Sequence, residues 1–241
     1  MSKADLIPVS EIFGPTVQGE GRSLGVPAIF VRLGGCNLAC DWCDTPYTWD
    51  WTRFEAKKEI RMLTQQQVTR HVLDLRGDTA VSLVVITGGE PMLQQKRLPD
   101  VLNVLSAYGF RVEIETAGTI APAGFSMFGA HYTVSPKLAH SGNPREKAIR
   151  PHVLRDFALM GDKVTFKFVV KEPSDFEEVD DLMGEGPLFD VPHSRVYIMP
   201  EGTDPKELAQ RTREILPEVY KRGYRLTPRL HVSLWGDARG Y

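Results

Sequence analysis

Three cysteines, Cys36, Cys40 and Cys43, lie within a stretch of eight residues, and the chain contains no others. An odd set of closely spaced cysteines does not form a disulfide framework, whereas the spacing C-x3-C-x2-C suits three ligands that fold over one metal centre. A four-iron cluster needs four ligands. Three cysteines would therefore leave one iron free to bind a small molecule directly and to pass an electron into it.

Two other metal-binding interpretations of the same spacing stay open. A structural zinc site is normally closed by four protein ligands, and no histidine near the cysteines completes such a set. A simple electron-carrier cluster is the second alternative.

Composition limits the classes of function. With 241 residues the chain is long enough to bury its own core, and we predict one domain over residues 1–241. The 29 Lys and Arg balance the 31 Asp and Glu without a long run of either sign, which argues against a nucleic-acid partner. No apolar run approaches the about 20 residues of a membrane helix, and Met1–Asp5 lack a signal-peptide core. An oxygen-sensitive cluster and unpaired thiols fit the reducing cytoplasm.

Six short runs rich in β-branched and aromatic residues alternate with helix-like stretches. They are Ala28–Leu33, Ser82–Thr87, Arg111–Glu115, His131–Ser135, Thr165–Val170 and Arg195–Met199. This alternation predicts parallel strands joined by right-handed crossovers. Six strands are too few for a closed eight-stranded barrel, so the predicted fold is α/β, a partial, open (β/α)6 barrel. The flanking segments Leu6–Phe13 and Arg229–Leu234 are expected to add strands or loops as N- and C-terminal extensions.

Local signals predict the ends of two helices. Thr64 and Gln67 have the spacing of a capping box and would open the first helix. Asp204 followed by Pro205 would begin another. Pro217 is expected to interrupt that later helix, and Gly223 is expected to end it.

Polar and turn residues follow every predicted strand. Because parallel α/β barrels form their active sites at the carboxyl ends of the strands, these residues should share one rim. In strand order they are Cys36, Gly88–Pro91, Glu115–Thr116, Ser135–Lys137, Lys171–Glu172 and Pro200–Gly202.

Two polar features allow more than one interpretation. The glycine-rich loop Gln18–Gly21 is ordinarily a surface hairpin loop, but its Gln and Glu also suit the amide edge of a heterocycle. Arg32 lies inside a predicted strand, where a charge must be paired or face a cavity. Either an internal salt bridge or a bound carboxylate would satisfy its planar fork, and its nearness to Cys36 favours the carboxylate.

Four further residues have ordinary structural interpretations beside functional ones. Glu113 and Glu115 share a phase in their strand, so both should point to one side and one would reach solvent. A lone histidine in an apolar stretch, such as His231, is more often a hydrogen-bonded structural residue. Thr45 would ordinarily cap a loop, although its hydroxyl could offer a hard oxygen to magnesium.

The cysteine loop, defined here as Gly34–Asp44, resembles the radical S-adenosylmethionine superfamily. In that superfamily the open iron chelates the amino and carboxylate groups of the methionine moiety. Thr87–Pro91 resembles the superfamily's GGEP element, where glycine lets the backbone approach a ligand closely; Glu90 could contact either the ligand or the backbone. The resemblance implies that Trp42 lies near adenine, a role compatible with shielding the cluster.

Over its whole length the chain resembles the 7-carboxy-7-deazaguanine synthase family. The matching segments are Glu11–Phe13, Val17–Gly21, Phe30–Arg32, Cys43–Thr45, Thr87–Pro91, Glu115–Thr116, Ser135–Lys137, His231 and Leu234–Gly236. The QGEG loop and the CDT sequence are more specific than the cysteine spacing. The resemblance implies a lyase that contracts 6-carboxy-5,6,7,8-tetrahydropterin to 7-carboxy-7-deazaguanine by a radical route, with loss of ammonia, toward queuosine and other 7-deazapurines.

The resemblance also implies residue roles, cofactors and partners. The ligands of a 4Fe-4S cluster would be Cys36, Cys40 and Cys43, and Thr45 would bind Mg2+. The pterin would be bound by Val17, Gln18, Gly19, Glu20, Arg32, Thr87, Glu115 and His231. S-adenosyl-L-methionine would be held by Trp42, Asp44, Gly89, Ser135, Pro136, Lys137, Met199, Pro200, Glu201 and Gly202. A flavodoxin- or ferredoxin-type electron donor and a homodimer are implied as well.

Some positions depart from the family pattern. Ala117 stands where the family has an Asn-like residue, which puts a polar contact there in doubt. The C-terminal residues Arg239–Tyr241 extend beyond those of some members, which leaves the role of the Tyr241 carboxylate open. Two alternative functions remain at this point: an activating enzyme that installs a glycyl radical on a partner protein, and a non-catalytic metal-binding module.

Overall fold

The structure is a computed structural model that describes residues 6–123 and 129–241. The strands are β1 Ile7–Val17, β2 Pro27–Leu33, β3 Arg61–Leu63, β4 Leu83–Gly88, β5 Arg111–Thr116, β6 His131–Val134, β7 Val164–Val170, β8 Val196–Pro200 and β9 Arg225–Leu226. The α-helices are α1 Ala56–Glu59, α2 Gln65–Arg76, α3 Pro99–Ala107, α4 Arg145–Ala148, α5 Pro151–Ala158, α6 Asp175–Met183, α7 Pro205–Arg222 and α8 Leu230–Trp235. None of the helices within these ranges has the length and apolar character needed to cross a bilayer. The expectation made for Met1–Asp5 lies outside the described residues.

The strands form one open sheet. Their order across the described part of the sheet is β3-β1-β2-β4-β5-β6-β7-β8-β9. β1 pairs antiparallel with β2 and β3, and the neighbours from β2 to β9 pair in parallel. The six predicted strands correspond to β2 and β4–β8, with ends shifted by one residue at most. The partial (β/α)6 barrel is therefore confirmed, and β1, β3 and β9 extend it at its edges.

Alternation along β7 shows how the sheet separates a core from a site. Phe166 and Phe168 belong to the main hydrophobic core and are fully buried. Lys167, between them, points to the opposite face, because successive side chains of a strand alternate, and it lines the central cavity. On the core side, helix α5 packs through Phe157 against Tyr132 of β6, with ring centroids 5.4 Å apart. The apolar run of β7 thus contains one residue that belongs to the polar, concave face.

Two expectations about the C-terminal third are wrong. The segment Arg229–Leu234 forms neither a strand nor a loop, because Leu230–Trp235 is the helix α8. Pro217 does not interrupt α7, which runs from Pro205 to Arg222. A proline inside a helix removes one backbone hydrogen bond, but buried Ile215 and Val219 lie on both sides of Pro217 and keep the helix packed on the sheet.

The predicted ends of α7 and the start of α2 are confirmed. Asp204 accepts hydrogen bonds from the backbone N–H groups of Lys206 and Glu207 at 2.8 and 3.0 Å. Gly223 ends α7 in a left-handed conformation with φ of 66°, which glycine adopts without strain. Thr64 Oγ1 accepts from Gln67 N at 3.1 Å, and Gln67 Oε1 accepts from Thr64 N at 2.8 Å, which completes the capping box.

Replacement of Thr64 tests the contribution of this cap. Thr64→Ala should lower the free energy of unfolding by about 1 kcal/mol, because the N–H of Gln67 loses its acceptor. Thr64→Ser keeps a hydroxyl and should unfold close to the wild type. Urea denaturation followed by circular dichroism measures both, and equal stability of Thr64→Ala and the wild type would contradict the role of the cap.

Candidate active site

Residues from five of the six predicted rim sets line one cavity of about 210 Å³ at the carboxyl ends of the parallel strands. The predicted site residues that line it are Val17, Gln18, Gly19, Glu20, Arg32, Cys36, Cys40, Trp42, Cys43, Asp44, Thr45, Thr87, Gly89, Glu115, Ser135, Lys137, Met199, Glu201, Gly202 and His231. Pro136 and Pro200 are buried beside lining residues but do not line the cavity themselves. Lys171 and Glu172 were wrongly expected on this rim: both are exposed and neither lines the cavity.

A close backbone contact holds the cysteine loop against the turn after β4. Glu90 N donates to Gly35 O at 2.8 Å, and Gly89 N donates to Leu33 O at 3.0 Å. A Cβ atom on Gly89 would lie 1.9 Å from Gly35 O, so any side chain there would push the two segments apart. The glycines of this turn therefore bring the strand end directly beneath the cysteine loop.

Glu90 accepts hydrogen bonds from neighbouring segments of the chain and does not line the cavity. It is fully buried, and its carboxylate accepts hydrogen bonds from Met92 N at 2.9 Å, Ala117 N at 2.8 Å and Thr116 Oγ1 at 2.7 Å. These bonds join the end of β4 to the end of β5. At Ala117 it is the backbone N–H that makes this contact, and the side chain adds no polar group.

The three thiols suit a polynuclear cluster in their chemistry. Burial raises the pKa of Cys36 to about 12 and also raises the pKa of Cys40, so the protein alone favours the neutral form of these two thiols, and a bound metal would supply the positive charge that makes them thiolates. Among the described residues no group of three or more His, Cys, Asp or Glu converges on a single point. A structural zinc site is normally closed by four protein ligands, and the loop offers three cysteines.

The loop Gln18–Gly21 is not a surface hairpin loop. Gln18 is buried, and its Nε2 donates to Glu115 Oε1 at 3.1 Å. Thr87 Oγ1 donates to the other carboxylate oxygen of Glu115 at 2.8 Å. The loop is therefore fixed across the concave face, with amide and carboxylate groups on the cavity wall.

The two in-phase glutamates of β5 both lie on the concave side. Glu115 lines the cavity, and Glu113 is buried and accepts from Ser23 Oγ, so neither of the two glutamates is an exposed residue. Ser23 belongs to a short 3-10 helix that follows the Gln18–Gly21 loop. The same loop region thus contacts β5 through Ser23 and lines the cavity through Gln18, Gly19 and Glu20.

Lys167 and Arg229 also line the cavity, and no sequence motif indicates either of them as a site residue. Lys167 Nζ forms an ion pair with Glu20, and the side chains are only 8% and 12% exposed. Arg229 Nε lies 3.2 Å from Glu20 Oε1, and its Nη2 pairs with Asp44. Burial alone would raise the pKa of Glu20, but the charges of Lys167 and Arg229 outweigh it and lower that pKa. Glu20 is therefore held as a carboxylate.

His231 and Asp44 each lie beside one member of the Glu20–Arg229 ion pair. His231 Nε2 lies 3.8 Å from Glu20 Oε1, and burial lowers the pKa of His231 despite that carboxylate. Burial would raise the pKa of Asp44, but Arg229 and Arg32 lower it. His231 thus contributes to the cavity wall as a largely neutral imidazole near neutral pH.

Arg32 makes the internal salt bridge that was the less favoured interpretation. Its Nε donates to Glu11 Oε1 at 2.7 Å, and Tyr47 OH donates to the same oxygen at 2.8 Å. Arg32 also lines the cavity. The salt bridge uses one edge of the guanidinium and orients the group within the cavity wall.

Thr45 is buried on the cavity wall beside the last cysteine. Its Oγ1 lies 3.7 Å from Cys43 Sγ, and its carbonyl accepts from Thr48 Oγ1 at 2.8 Å. The hydroxyl is thus positioned by a short turn next to the cysteine loop.

A lysine within the apolar run Val164–Val170 was the available signal for Lys167. A charge in a strand that is otherwise buried must be paired, and its partner Glu20 was already a candidate. Asn143 and Trp49, which contact cysteine sulfurs, carried no comparable signal, because Asn143 is separated from Cys40 by 103 positions.

The fold and the cysteine loop define a radical S-adenosylmethionine protein. The family model described as "Radical SAM superfamily" matches residues 30–125, which include all three cysteines and the turn after β4. This result favours the catalytic interpretation over a zinc loop or a simple electron carrier.

Comparison over the full length places the chain within that class. It is 38% identical to the 7-carboxy-7-deazaguanine synthase of Pyrobaculum aerophilum over 242 aligned residues, which cover 100% of both chains. It is 36% identical to that of Halobacterium salinarum (96% of this chain, 91% of the relative) and 32% identical to that of Bacillus subtilis (97% and 98%). A crystal structure of QueE from Escherichia coli superimposes with a TM-score of 0.71 at 28% identity and covers 94% of this chain and 95% of that one. The chain belongs to the 7-carboxy-7-deazaguanine synthase family.

Removal of the Lys167 charge tests the buried ion pair. Lys167→Met should lower the free energy of unfolding at pH 7 by about 3–5 kcal/mol, because Glu20 loses a buried partner. The low folded pKa of Glu20 contributes stability above its ordinary pKa of 4.5, and in the variant that pKa rises. The difference from the wild type should therefore narrow as the pH falls through the folded pKa of Glu20 in the variant, which lies above the folded pKa of Glu20 in the wild type.

The matched control for this measurement is Lys171→Met, which changes an exposed lysine just after the same strand and should leave stability unchanged. Urea titrations at pH 7 and pH 4 compare the three proteins. A difference between Lys167→Met and the wild type that stayed constant with pH would show that Glu20 is not the group stabilised by Lys167.

Proposed function

We propose that this protein is a radical S-adenosylmethionine lyase that converts 6-carboxy-5,6,7,8-tetrahydropterin to 7-carboxy-7-deazaguanine with loss of ammonia, a step in the biosynthesis of queuosine and other 7-deazapurines. The observation that carries the proposal is the meeting of the three-cysteine loop and the buried loop Gln18–Gly21 on one cavity. The first supports radical chemistry, and the second supports recognition of a heterocycle. Full-length similarity to synthases favours this reaction over glycyl-radical activation and over a non-catalytic metal-binding module.

The cofactors would occupy the side of the cavity formed by the cysteine loop. Cys36, Cys40 and Cys43 would hold a 4Fe-4S cluster, and residues at the ends of β4, β6 and β8 would hold S-adenosylmethionine. When bound, the cluster and S-adenosylmethionine supply the radical chemistry. The protein's own part is to orient the reacting groups at contact distance and to exclude water.

The pterin would occupy the opposite side, against the Gln18–Gly21 loop. The Glu20 carboxylate, kept ionised by Lys167 and Arg229, can accept hydrogen bonds from the amino and ring N–H groups of a pterin. Gln18 and Glu115, already joined by a hydrogen bond, supply one donor amide and one acceptor beside it. A ligand without the matching donors and acceptors would leave these buried polar groups unpaired, so the cavity wall would bind it more weakly than the pterin.

Arg32 would bind the substrate carboxylate. Glu11, which also accepts a hydrogen bond from Tyr47 OH, holds the Nε edge of Arg32, and the guanidinium can offer a second edge to a carboxylate in the cavity. The internal salt bridge would then position the group for substrate rather than replace that role.

Several finer assignments belong to the same proposal. Thr45 would give one hydroxyl oxygen to a Mg2+ ion that keeps substrate and water ligands.

The chain would act as one domain over residues 1–241, in the cytoplasm and as a homodimer. It would receive electrons from a flavodoxin- or ferredoxin-type donor. Light scattering of the purified holoprotein would measure the oligomeric state directly.

The central test is an anaerobic assay. The reconstituted protein, incubated with carboxytetrahydropterin, S-adenosylmethionine, Mg2+ and reductant, should yield 7-carboxy-7-deazaguanine and ammonia in equal amounts. Cys40→Ala should lose cluster iron and all cleavage of S-adenosylmethionine, while its far-ultraviolet circular dichroism stays that of a folded protein. Retained cleavage by Cys40→Ala would refute the ligand assignment, and a loaded wild type that left the pterin unchanged would refute the substrate.

Substitution of Arg32 separates substrate binding from cofactor binding. Arg32→Ala should weaken binding of the pterin by about 10- to 100-fold, the effect of one lost hydrogen bond to a charged group, with iron content unchanged. Arg53→Ala, which removes an exposed arginine, is the matched control and should bind normally. Isothermal titration under anaerobic conditions gives both affinities, and wild-type affinity in Arg32→Ala would exclude the assigned role.

A further inference from the structure

Every cysteine sulfur of the candidate cluster site accepts a hydrogen bond from a nitrogen donor. Cys36 Sγ accepts from the backbone N–H of Leu38 at 3.5 Å. Cys43 Sγ accepts from Trp49 Nε1 at 3.3 Å, and Cys40 Sγ accepts from Asn143 Nδ2 at 3.2 Å. The first donor is part of the cysteine loop, but the other two are side chains from outside it.

The Trp49 indole can act only as a hydrogen-bond donor, and backbone hydrogen bonds fix the turn that carries it. An indole nitrogen is a donor only, so its contact with Cys43 must be an N–H···S bond. The residue closes a short turn in which Trp49 N donates to Pro46 O at 3.1 Å. The carbonyl of Thr48, just before it, accepts from Gly35 N at 2.7 Å and ties this turn back to the start of the cysteine loop.

Asn143 is oriented by its second hydrogen bond. Its Oδ1 accepts from Ala39 N at 2.9 Å, which places the amide oxygen on the backbone and turns Nδ2 toward the Cys40 sulfur. Asp41 N donates to Ser141 O at 3.0 Å. The segment between β6 and α4 therefore holds the cysteine loop on both sides of Cys40 and presents a fixed donor to its sulfur.

We propose that Trp49 and Asn143 are positioning residues that set the reduction potential of the cluster by donating N–H···S hydrogen bonds to the thiolates of Cys43 and Cys40. Such bonds stabilise negative charge on sulfur, and a reduced cluster carries one more negative charge than an oxidised one. They therefore stabilise the reduced state more and raise the potential. The inference rests on the cluster of the proposed function but not on the identity of its substrate.

The test measures the midpoint potential of the reconstituted holoprotein in the absence of S-adenosylmethionine and pterin. Trp49→Phe keeps an aromatic ring and removes the N–H, and Asn143→Leu removes the amide at similar volume. Each should shift the midpoint to a more negative value, and the double variant should shift it further. Each tenfold change in the relative stability of the reduced state corresponds to about 59 mV for a one-electron couple.

Matched controls are Trp51→Phe and Asn103→Leu, which make the same replacements at exposed positions outside the cavity and should keep the wild-type potential. Iron and sulfide analysis confirms that each protein carries a full cluster before titration by electron paramagnetic resonance. Wild-type potentials in fully loaded Trp49→Phe and Asn143→Leu would overturn the inference and leave the proposed reaction intact. A wild-type protein that binds no four-iron cluster would overturn both.

Where a variant does not retain its cluster, a measurement on the wild-type holoprotein tests whether the N–H···S hydrogen bonds exist. Electron–nuclear double resonance of the reduced cluster in H2O and D2O detects exchangeable protons beside the sulfurs. Protons that couple to the cluster and exchange with solvent support the N–H···S bonds, and a spectrum identical in both solvents overturns them.

Discussion

The site depends on one buried carboxylate, Glu20, held between the cations of Lys167 and Arg229. Through these pairs the loop after β1 is joined to the middle of β7 and to the start of α8, and Arg229 continues the chain of charges to Asp44 in the cysteine loop. Four segments that are distant in sequence are thus joined by one network of ion pairs. Without that carboxylate, Lys167 would be a buried cation without its ion-pair partner, and the loop after β1 would lose its link to β7.

Such a network is a poor source of stability, because removing charges from water costs about as much as their attraction returns. Stability must come from the other side of the sheet. There Phe166, Phe168 and the helices form a continuous apolar core. The two faces of the sheet therefore have different roles. The core face drives folding by burial of apolar surface, and the concave face holds charged groups in fixed positions where a polar ligand can bind them.

Local pattern was sufficient for the parts of the molecule that are locally determined. The six parallel strands and the cap at Thr64 follow from runs and spacings that any neighbouring structure would leave intact. Pro217 and the α8 segment were misjudged because packing on the sheet overrode local preference. The partners of Arg32 and Lys167 could not be predicted, since Glu11 and Glu20 approach them only through strand pairing and loop closure. The rim residues were found because parallel strands bring their carboxyl ends together regardless of sequence distance.

The Asp44–Arg229 contact joins the side of the cavity formed by the cysteine loop to the side formed by the Gln18–Gly21 loop. Asp44 directly follows Cys43, and Arg229 also contacts Glu20. If occupancy of one side alters this contact, the affinity of the other side changes by the same factor, since linkage between two sites is reciprocal.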